Sequence, residues 1–325
     1  MTTAPIPSVG FIFSVLVRAA SKIVRRGSIF KFKTWRRAIL ISWNIKEHLK
    51  LLRILSHPQP RVLINKYPEL TYKYLRDYIS FDISTKNSLS ILIGHYSFLQ
   101  NNFKDDFLDL VCHSPIALWQ SCIDGSQFEI ALGFPHTIDF EGDLCLLFKK
   151  DQECLYRIIF VIANGGPFNI SDENVIFISS VQGMHDFDGI KQATKACQDI
   201  HPAQLLMSSI NGLSMALGFN TVIGIGTKNQ ISQGEKLHFS YEKFFESYGD
   251  FVPAENYFKI QLPYAEKPLN LINANHRRRT QRKRDFKNEI RDQVALAFGQ
   301  YLVNKPLAAS PASRIEAVVA EAELA

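Results

Sequence analysis

Apolar positions follow two different spacings, and the change between them divides the chain into a helical first part and a strand-rich second part. Recurrence every three or four residues predicts helices at 34–55 and 85–102. After about residue 125, short runs rich in aromatic and β-branched residues predict strands. Four of these runs predict an antiparallel meander, at 127–134, 143–148, 155–162 and 174–181.

Helical spacing returns in the last third of the chain. It predicts two helices at 189–199 and 203–217, the second ended by Gly218. The remaining elements are a buried strand at 220–226, an aromatic-rich helix at 238–249, a strand at 257–263 and a helix at 275–303. We therefore expect an α+β fold, with a helical N-terminal region followed by a mixed, largely antiparallel sheet flanked by helices.

Four segments follow from these patterns. Residues 1–60 are a basic amphipathic N-terminal segment, and residues 61–125 are expected to be a helical region. Residues 126–303 form the α/β core with a basic C-terminal helix. Residues 304–325, rich in Ala, are expected to be a weakly ordered tail.

The net charge of +6 hides a strong asymmetry along the chain. Residues 1–66 carry 13 Lys and Arg against the single acid Glu47, whereas residues 67–271 have a net charge of −10. Residues 272–291 are basic again, at +6. The basic ends could dock on the acidic middle or bind an anionic membrane surface. Nucleic acid is not the expected partner, because the basic segments lack interleaved aromatics and a recognised binding fold.

The cysteines and the apolar runs of the sequence indicate the cellular compartment. The five cysteines are scattered without a Cys-x-x-Cys pair, so neither a disulfide framework nor a metal site is expected. No apolar run reaches the roughly 20 residues that span a bilayer. Residues 6–17 resemble a short signal core but lack a basic n-region, which favours a cytoplasmic protein.

The basic helix at 34–55 admits two interpretations. Trp35, Ile39, Ser42, Leu49 and Leu52 fall at helical spacing. The helix either packs on the body or lies on a membrane, which would make the protein peripheral to the inner membrane.

Several runs occur in a fixed order over residues 140–290: EGDLCLLF, LYRIIF, SSVQG, TKACQDIHPAQLL, ALGF, SYEKFFESYGDF, YFKIQLP and NHRRRTQRKRDF. This ordered set resembles the VirK/YbjX family of Gram-negative bacteria, and weaker similarity extends back to about residue 62. The resemblance implies a link to virulence, envelope integrity and stress responses. It implies no particular reaction.

Two of these runs also resemble the acyl-CoA N-acyltransferase (GNAT) core. FSYEKFFESYGDF is similar to its last helix, and ALGFNTVIGIG to the element before it. The resemblance implies a GNAT-like sheet, acyl-CoA as donor and Tyr241 as the acid that protonates a departing thiolate. The turn from Gln182 to Gly189 departs from the pattern: its glycines are spaced differently, and Asp186 and Asp188 would repel a pyrophosphate.

An N-acyltransferase also needs a base, for which Glu141, Asp143 and His185 are candidates. Simpler interpretations stand beside these roles. Tyr241 is then a packing aromatic, and Glu141-Gly142-Asp143 is a turn that enters a strand.

Cofactor-binding candidates follow the fourth strand of the meander. Gln182 and Gly183 end a buried strand just before a helix, where ligands often bind, and Lys195 in that helix could reach an anion. A well-packed tight turn and a solvated lysine are the simpler alternatives.

The C-terminal helix carries an apolar stripe at four-residue spacing, through Phe286, Ile290, Val294 and Phe298. Continued backward, this spacing reaches Arg282 and then Arg278 or Arg279. Arginines on a docking face need a carboxylate or a phosphate, so we expect these three to bind an acidic group of the body or an anionic ligand. Arg277, Lys283 and Arg284 are expected to point elsewhere.

Two classes of function remain open from the sequence. The first is an acyl-CoA-dependent, acyltransferase-like protein. The second is a non-catalytic factor that binds a membrane or another protein through its basic N- and C-terminal helices. Serine hydrolase, P-loop and Rossmann patterns do not occur in the sequence.

Overall fold

The computed structural model describes residues 32–135, 140–171, 174–184, 186–232, 239–264 and 266–304. The helices are α1 (Phe32–Trp43), α2 (Ile45–Leu55), α3 (Pro58–Lys66), α4 (Thr85–Asn102), α5 (Phe107–His113), α6 (Phe187–Ala196), α7 (Pro202–Leu217), α8 (Tyr241–Phe245) and α9 (Ala274–Gly299). The strands are β1 (Ile116–Ile123), β2 (Ser126–Gly133), β3 (Leu144–Lys150), β4 (Glu153–Asn164), β5 (Asn174–Gly183), β6 (Thr221–Ile225), β7 (Asp250–Val252) and β8 (Tyr257–Gln261).

The eight strands form one mixed sheet in the order β1-β2-β3-β4-β5-β6-β8-β7. β1 to β5 are an antiparallel meander in which each strand pairs with the next. β5 and β6 run parallel, because the crossover through α6 and α7 returns the chain to the starting end of the sheet. β8 and β7 complete the sheet in antiparallel pairing. The α+β class expected from the sequence is confirmed.

Helices pack on this sheet through apolar faces. α4 packs on β4 with Leu89, Leu92, Tyr96 and Leu99 all buried, as their helical spacing predicts. α7 packs on β3, β4 and β5, and α9 packs on α7 and β1. The core is therefore continuous from the N-terminal helices to α9.

The predicted helix at 34–55 is divided at Asn44 into α1 and α2. Its buried face is formed by His48, Leu51, Leu52 and Leu55, which contact α4 and the 3₁₀ segment Pro68–Leu75. Ile39, Ser42 and Leu49, which the sequence placed on one stripe with Leu52, are exposed. The single stripe was wrong, because the helix turns a different set of residues toward the body after Asn44.

Two strands were not predicted. β1 lies within residues 61–125, the region expected to be helical, and β7 has only three residues. The aromatic-rich helix expected at 238–249 is shortened to α8, because the chain enters β7 at Asp250. Residues 1–31 and the tail from residue 305 lie outside the described residues.

Candidate functional site

β5 continues beyond the residues that pair with the shorter strand β6. Their parallel pairing runs from Ile176 opposite Val222 to Ile178 opposite Gly224, although β5 continues to Gly183. At Ser179, β5 also bulges relative to β4, since Ile159 pairs with Ser180 while the next residue pairs with Ile178. The end of β5 thus lines a gap beside β6, here called the β5–β6 gap.

Tyr241 is buried against the end of β5 beside the β5–β6 gap. It is the first residue of α8, whose start is capped by the Ser240 hydroxyl. The Tyr241 hydroxyl accepts a hydrogen bond from the backbone N–H of Val181 at 3.1 Å. Burial raises the pKa of Tyr241 to about 12, so the phenol keeps its proton at neutral pH.

Glu141 lies beside Tyr241 and shares a neighbour with it. The Glu141 carboxylate oxygen Oε1 accepts hydrogen bonds from Gln230 Nε2 at 2.5 Å and from Ser232 Oγ at 2.6 Å. Gln230 is also close enough to Tyr241 to influence its pKa. A buried carboxylate and a buried phenol therefore meet around one amide side chain.

The other end of the Gln230 amide is an unused acceptor. Gln230 Oε1 is buried and accepts no hydrogen bond from any residue in the described part of the chain. A buried acceptor without a donor is costly unless a bound group satisfies it. The position next to Glu141 makes a donor such as an amine or a hydroxyl the matching ligand group.

The segment Glu141-Gly142-Asp143 is held tightly against β4. A Cβ on Gly142 would lie 2.7 Å from Ile159 Cγ2 and 2.9 Å from the Phe160 carbonyl oxygen, so only glycine fits. The Ser179 hydroxyl, at the bulge of β5, donates to the carbonyl of Glu141. The bulge therefore fixes the backbone from which the Glu141 side chain extends.

Asp143 belongs to a separate buried cluster. Its carboxylate accepts from Lys73 Nζ at 3.1 Å, from the Tyr96 hydroxyl at 3.0 Å and from the Tyr78 hydroxyl. Burial alone would raise the pKa of Asp143, but Lys73, His95 and the hydrogen bond from Tyr78 outweigh it and hold the pKa below its ordinary value. With these donors in place, Asp143 is suited to anchoring the segment rather than to accepting a substrate proton.

His95 completes the Asp143 cluster. It is fully buried on α4, and its Nδ1 accepts a hydrogen bond from the backbone N–H of Ile162 at 3.1 Å. Burial lowers the pKa of His95 to about 4, so the ring is neutral at pH 7 and carries its proton on Nε2. Nε2 has no acceptor among the described residues.

The turn after β5 offers little to a phosphate group. Gln182 Oε1 accepts from Arg157 Nη2 at 2.7 Å, and the space beside Gly183 is filled by the Tyr156 ring, 2.8 Å from where a Cβ would lie. Asp186 Oδ1 accepts from Gly189 N at 2.8 Å, so the chain's own carboxylate caps the start of α6. Lys195 is exposed near the end of α6.

His185, the third candidate catalytic residue, lies outside the described residues.

The arginines of α9 follow our expectation only in part, at Arg279. Arg278 and Arg282 are exposed, and Arg279 Nη2 forms an exposed ion pair with Asp199 at 2.8 Å. The residues that turn toward the body are Lys283 and Arg284, which were expected to point away. Arg284 Nε lies 2.5 Å from Glu266 Oε2, and Lys283 Nζ donates to the Asp199 carbonyl at 2.6 Å.

Arg279 pairs with a carboxylate of the body as expected, and helix geometry explains why Arg278 and Arg282 do not lie on the docking face. A four-residue step advances a helix by about 400°, so an apolar stripe at that spacing drifts by about 40° per step. Three buried residues, Ile290, Val294 and Phe298, tolerate this drift, but Phe286 is only partly buried. At Arg282 the accumulated drift has carried the stripe away from the face that packs on the body.

Sequence patterns found Glu141 and Tyr241 but not their partners. Gln230 and Ser232 stand in a loop without a motif, and Ser179 is one polar residue inside an apolar strand. Lys73 and Tyr78 lie far earlier in the chain, and only the fold brings them to Asp143. Within the described ranges, no group of three or more His, Cys, Asp or Glu side chains is placed to hold a metal ion.

These features define an α+β protein with a mixed sheet and a buried polar site beside the β5–β6 gap. Residues 25–296 match the family described as "Protein of unknown function (DUF535)", and the chain belongs to this family. The resemblance to the VirK/YbjX family is thereby confirmed.

Three relatives illustrate the family's range. The chain is 25% identical to the uncharacterized protein YbjX of Escherichia coli K12 over 302 residues, covering 88% of this chain and 90% of YbjX. It is 24% identical to the membrane protein LapB of Mannheimia haemolytica, over 59% of this chain and 82% of LapB. An uncharacterized protein of Haemophilus influenzae is 31% identical, over 45% of this chain and 50% of that protein. No solved structure matches the chain significantly.

Proposed function

We propose that the protein is an acyltransferase-like enzyme that transfers an acyl group from a thioester to an amine in the β5–β6 gap. The observation that carries the proposal is the meeting of the Tyr241 phenol, the Glu141 carboxylate and the unused Gln230 acceptor beside this gap. An acid, a base and an acceptor for a substrate N–H are the groups that this reaction needs.

The order of elements supports the GNAT likeness. The chain passes from β5 through α6 and α7 to β6 and then to the aromatic helix α8, which Tyr241 begins, before β7 and β8. This order is similar to that of the GNAT core, apart from the second helix and β7. Fold alone does not fix activity, so the proposal rests on the side chains in the gap.

In this proposal Glu141 takes a proton from the amine as its nitrogen attacks the thioester carbonyl. The carbon–sulfur bond breaks, and Tyr241 gives its hydroxyl proton to the departing sulfur. The raised pKa of Tyr241, about 12, suits this role because the phenol is protonated before the reaction. Glu141 then returns a proton to Tyr241 through water.

An acyl-CoA donor would also have to bind through its nucleotide, which carries a pyrophosphate. A pyrophosphate does not fit at the start of α6, because Asp186 already occupies the N–H of Gly189 and Asp188 adds a second negative charge. Acyl-CoA is therefore tested beside acyl-pantetheine, which carries the same thioester arm without phosphates. If the gap binds only the arm, the two donors should bind with similar affinity.

Titration calorimetry and thermal unfolding with both donors test binding, and release of free thiol in the presence of primary amines tests transfer. We expect both donors to raise the melting temperature. Tyr241→Phe should slow thiol release by about 100-fold, the usual contribution of a general acid, while retaining donor binding. Tyr248→Phe, at a partly buried tyrosine in the same segment, is the matched control. Absence of binding by both donors at millimolar concentration would refute the proposal.

A second candidate function is non-catalytic attachment to a membrane. We propose that the protein is cytoplasmic and peripheral to the inner membrane, and that its family's link to envelope integrity reflects this place. The name of its relative LapB, a membrane protein, supports the location. Among the described residues, no helix is long and apolar enough to cross a bilayer. Cell fractionation with a high-salt wash distinguishes peripheral attachment from a free protein.

A further inference from the structure

The outer face of α1 and α2 exposes large apolar side chains at an unusual density. Trp43 is 79% exposed, Ile39 48%, Ile45 45% and Leu49 40%. These four residues fall within eleven positions of the chain, and they are here called the outer apolar set. Single exposed apolar residues are ordinary on a protein surface, but a group on two consecutive helices indicates a contact surface.

Basic residues surround the outer apolar set. Lys46, Lys50 and Arg53 are exposed on α2. Across α1 and α2 there are six Lys and Arg against one acid, Glu47. Such cations can bury their aliphatic stems beside apolar groups and extend their charges to an anionic surface.

Another face of α2 packs against the body of the protein. His48, Leu51, Leu52 and Leu55 are buried, and His48 Nδ1 lies 3.0 Å from the Tyr74 hydroxyl. The orientation of α2 is therefore fixed by its packing, which keeps Ile45 and Leu49 at the surface, and Ile39 and Trp43 are exposed on the preceding helix. A rigid helix presented in this way keeps its apolar and basic groups available together.

We infer that the outer face of α1 and α2 docks on the surface of an anionic phospholipid bilayer. Trp43 and the three aliphatic residues enter the boundary between headgroups and acyl chains, and Lys46, Lys50 and Arg53 bind lipid phosphates. A tryptophan with flanking lysines suits this boundary, since one part is apolar and the other is wet. This inference gives the proposed peripheral location its contact surface, and it does not depend on acyl transfer.

Sedimentation of the full chain with vesicles tests the inference. Vesicles of phosphatidylcholine with phosphatidylglycerol should bind the protein, and vesicles of phosphatidylcholine alone should bind it at least about tenfold more weakly. Trp43→Ser with Leu49→Ser should lower the partition coefficient at least about tenfold, since two large apolar groups no longer enter the bilayer. Lys46→Gln with Lys50→Gln should lower it about tenfold.

Two controls make the outcome specific. Leu296→Ser removes a comparably exposed apolar residue from α9, and Lys191→Gln removes an exposed lysine from α6. Neither should change the partition coefficient, and circular dichroism should show all variants folded. Binding by the wild type that survives both double substitutions would overturn this surface while leaving peripheral location intact. No binding to anionic vesicles by the wild type would overturn both, and leave acyl transfer untouched.

Discussion

At the scale of single residues, two neighbours in sequence have separate roles. Glu141 extends toward Tyr241 and Gln230, whereas Asp143 is held by Lys73, Tyr78 and Tyr96. Lys73 Nζ also donates to the Gly142 carbonyl at 2.6 Å, so it binds both the carboxylate and the backbone of the segment. The buried ion pair thus positions the residue that faces the site.

Replacing Lys73 should therefore lower the free energy of unfolding. Lys73→Met leaves the Asp143 charge buried with phenol donors only, and loss of one partner from a buried pair costs about 3–5 kcal/mol. Lys191→Met breaks an exposed pair with Asp188 and should cost about 0–1 kcal/mol. Urea unfolding measures the free energy of unfolding of both variants. Adding Asp143→Asn to Lys73→Met should recover part of the loss, and equal stability of the two single variants would contradict the buried pair.

At the scale of elements, local patterns predicted which segments form helices and strands better than which face is buried. The helix 85–102 has the predicted bounds, and the Ser84 hydroxyl caps its start. α1, α2 and α9 form where expected. The stripe predicted across α1 and α2 was wrong, whereas α9 buries Ile290, Val294 and Phe298 as predicted and departs from prediction only toward its arginines. The buried face depends on partners far away in sequence, and a basic helix with few apolar residues leaves that choice open.

The face of α9 can be tested by two neighbouring arginines. Arg284 is largely buried and paired with Glu266, whereas Arg282 is exposed. Arg284→Ala should destabilise the protein by about 1–2 kcal/mol, because it removes charge-assisted hydrogen bonds to Glu266 and to the Lys267 carbonyl. Arg282→Ala should change stability by less than about 0.5 kcal/mol. If Arg282→Ala lowers the free energy of unfolding by urea more than Arg284→Ala does, Arg282 lies on the docking face, as the sequence predicted.

At the scale of the whole molecule, the fold class followed from the sequence because the change in apolar spacing is strong near residue 125. The candidate site followed only in part. Tyr241 was a candidate from the GNAT resemblance and Glu141 as the base that such a reaction needs, but the Asp143 cluster joins residues 47 to 70 positions apart. Such contacts leave no local pattern, since they depend on how α4 and the Pro68–Leu75 segment pack against β4.

Buried histidines connect this packing to the pH dependence of stability. Burial lowers the pKa of His95 to about 4, from an ordinary value of 6.5, and also lowers the pKa values of His48 and His201. Between these two pH values the unfolded chain binds protons that the folded chain does not bind. Stability should therefore fall as pH falls through this window. Below about pH 4 the depressed pKa of Asp143 adds a further loss, as its carboxylate becomes protonated.

His95→Gln should flatten this dependence, because glutamine can accept from the Ile162 N–H without a titrating ring. We expect the loss of unfolding free energy between pH 6.5 and pH 4 to shrink by up to about 3 kcal/mol relative to the wild type. Urea unfolding at constant ionic strength across that range measures the slope. His113→Gln, in which an exposed histidine is replaced, should keep the wild-type slope. If His95→Gln loses stability with falling pH as steeply as the wild type, the neutral buried imidazole is not what makes the folded protein sensitive to acid.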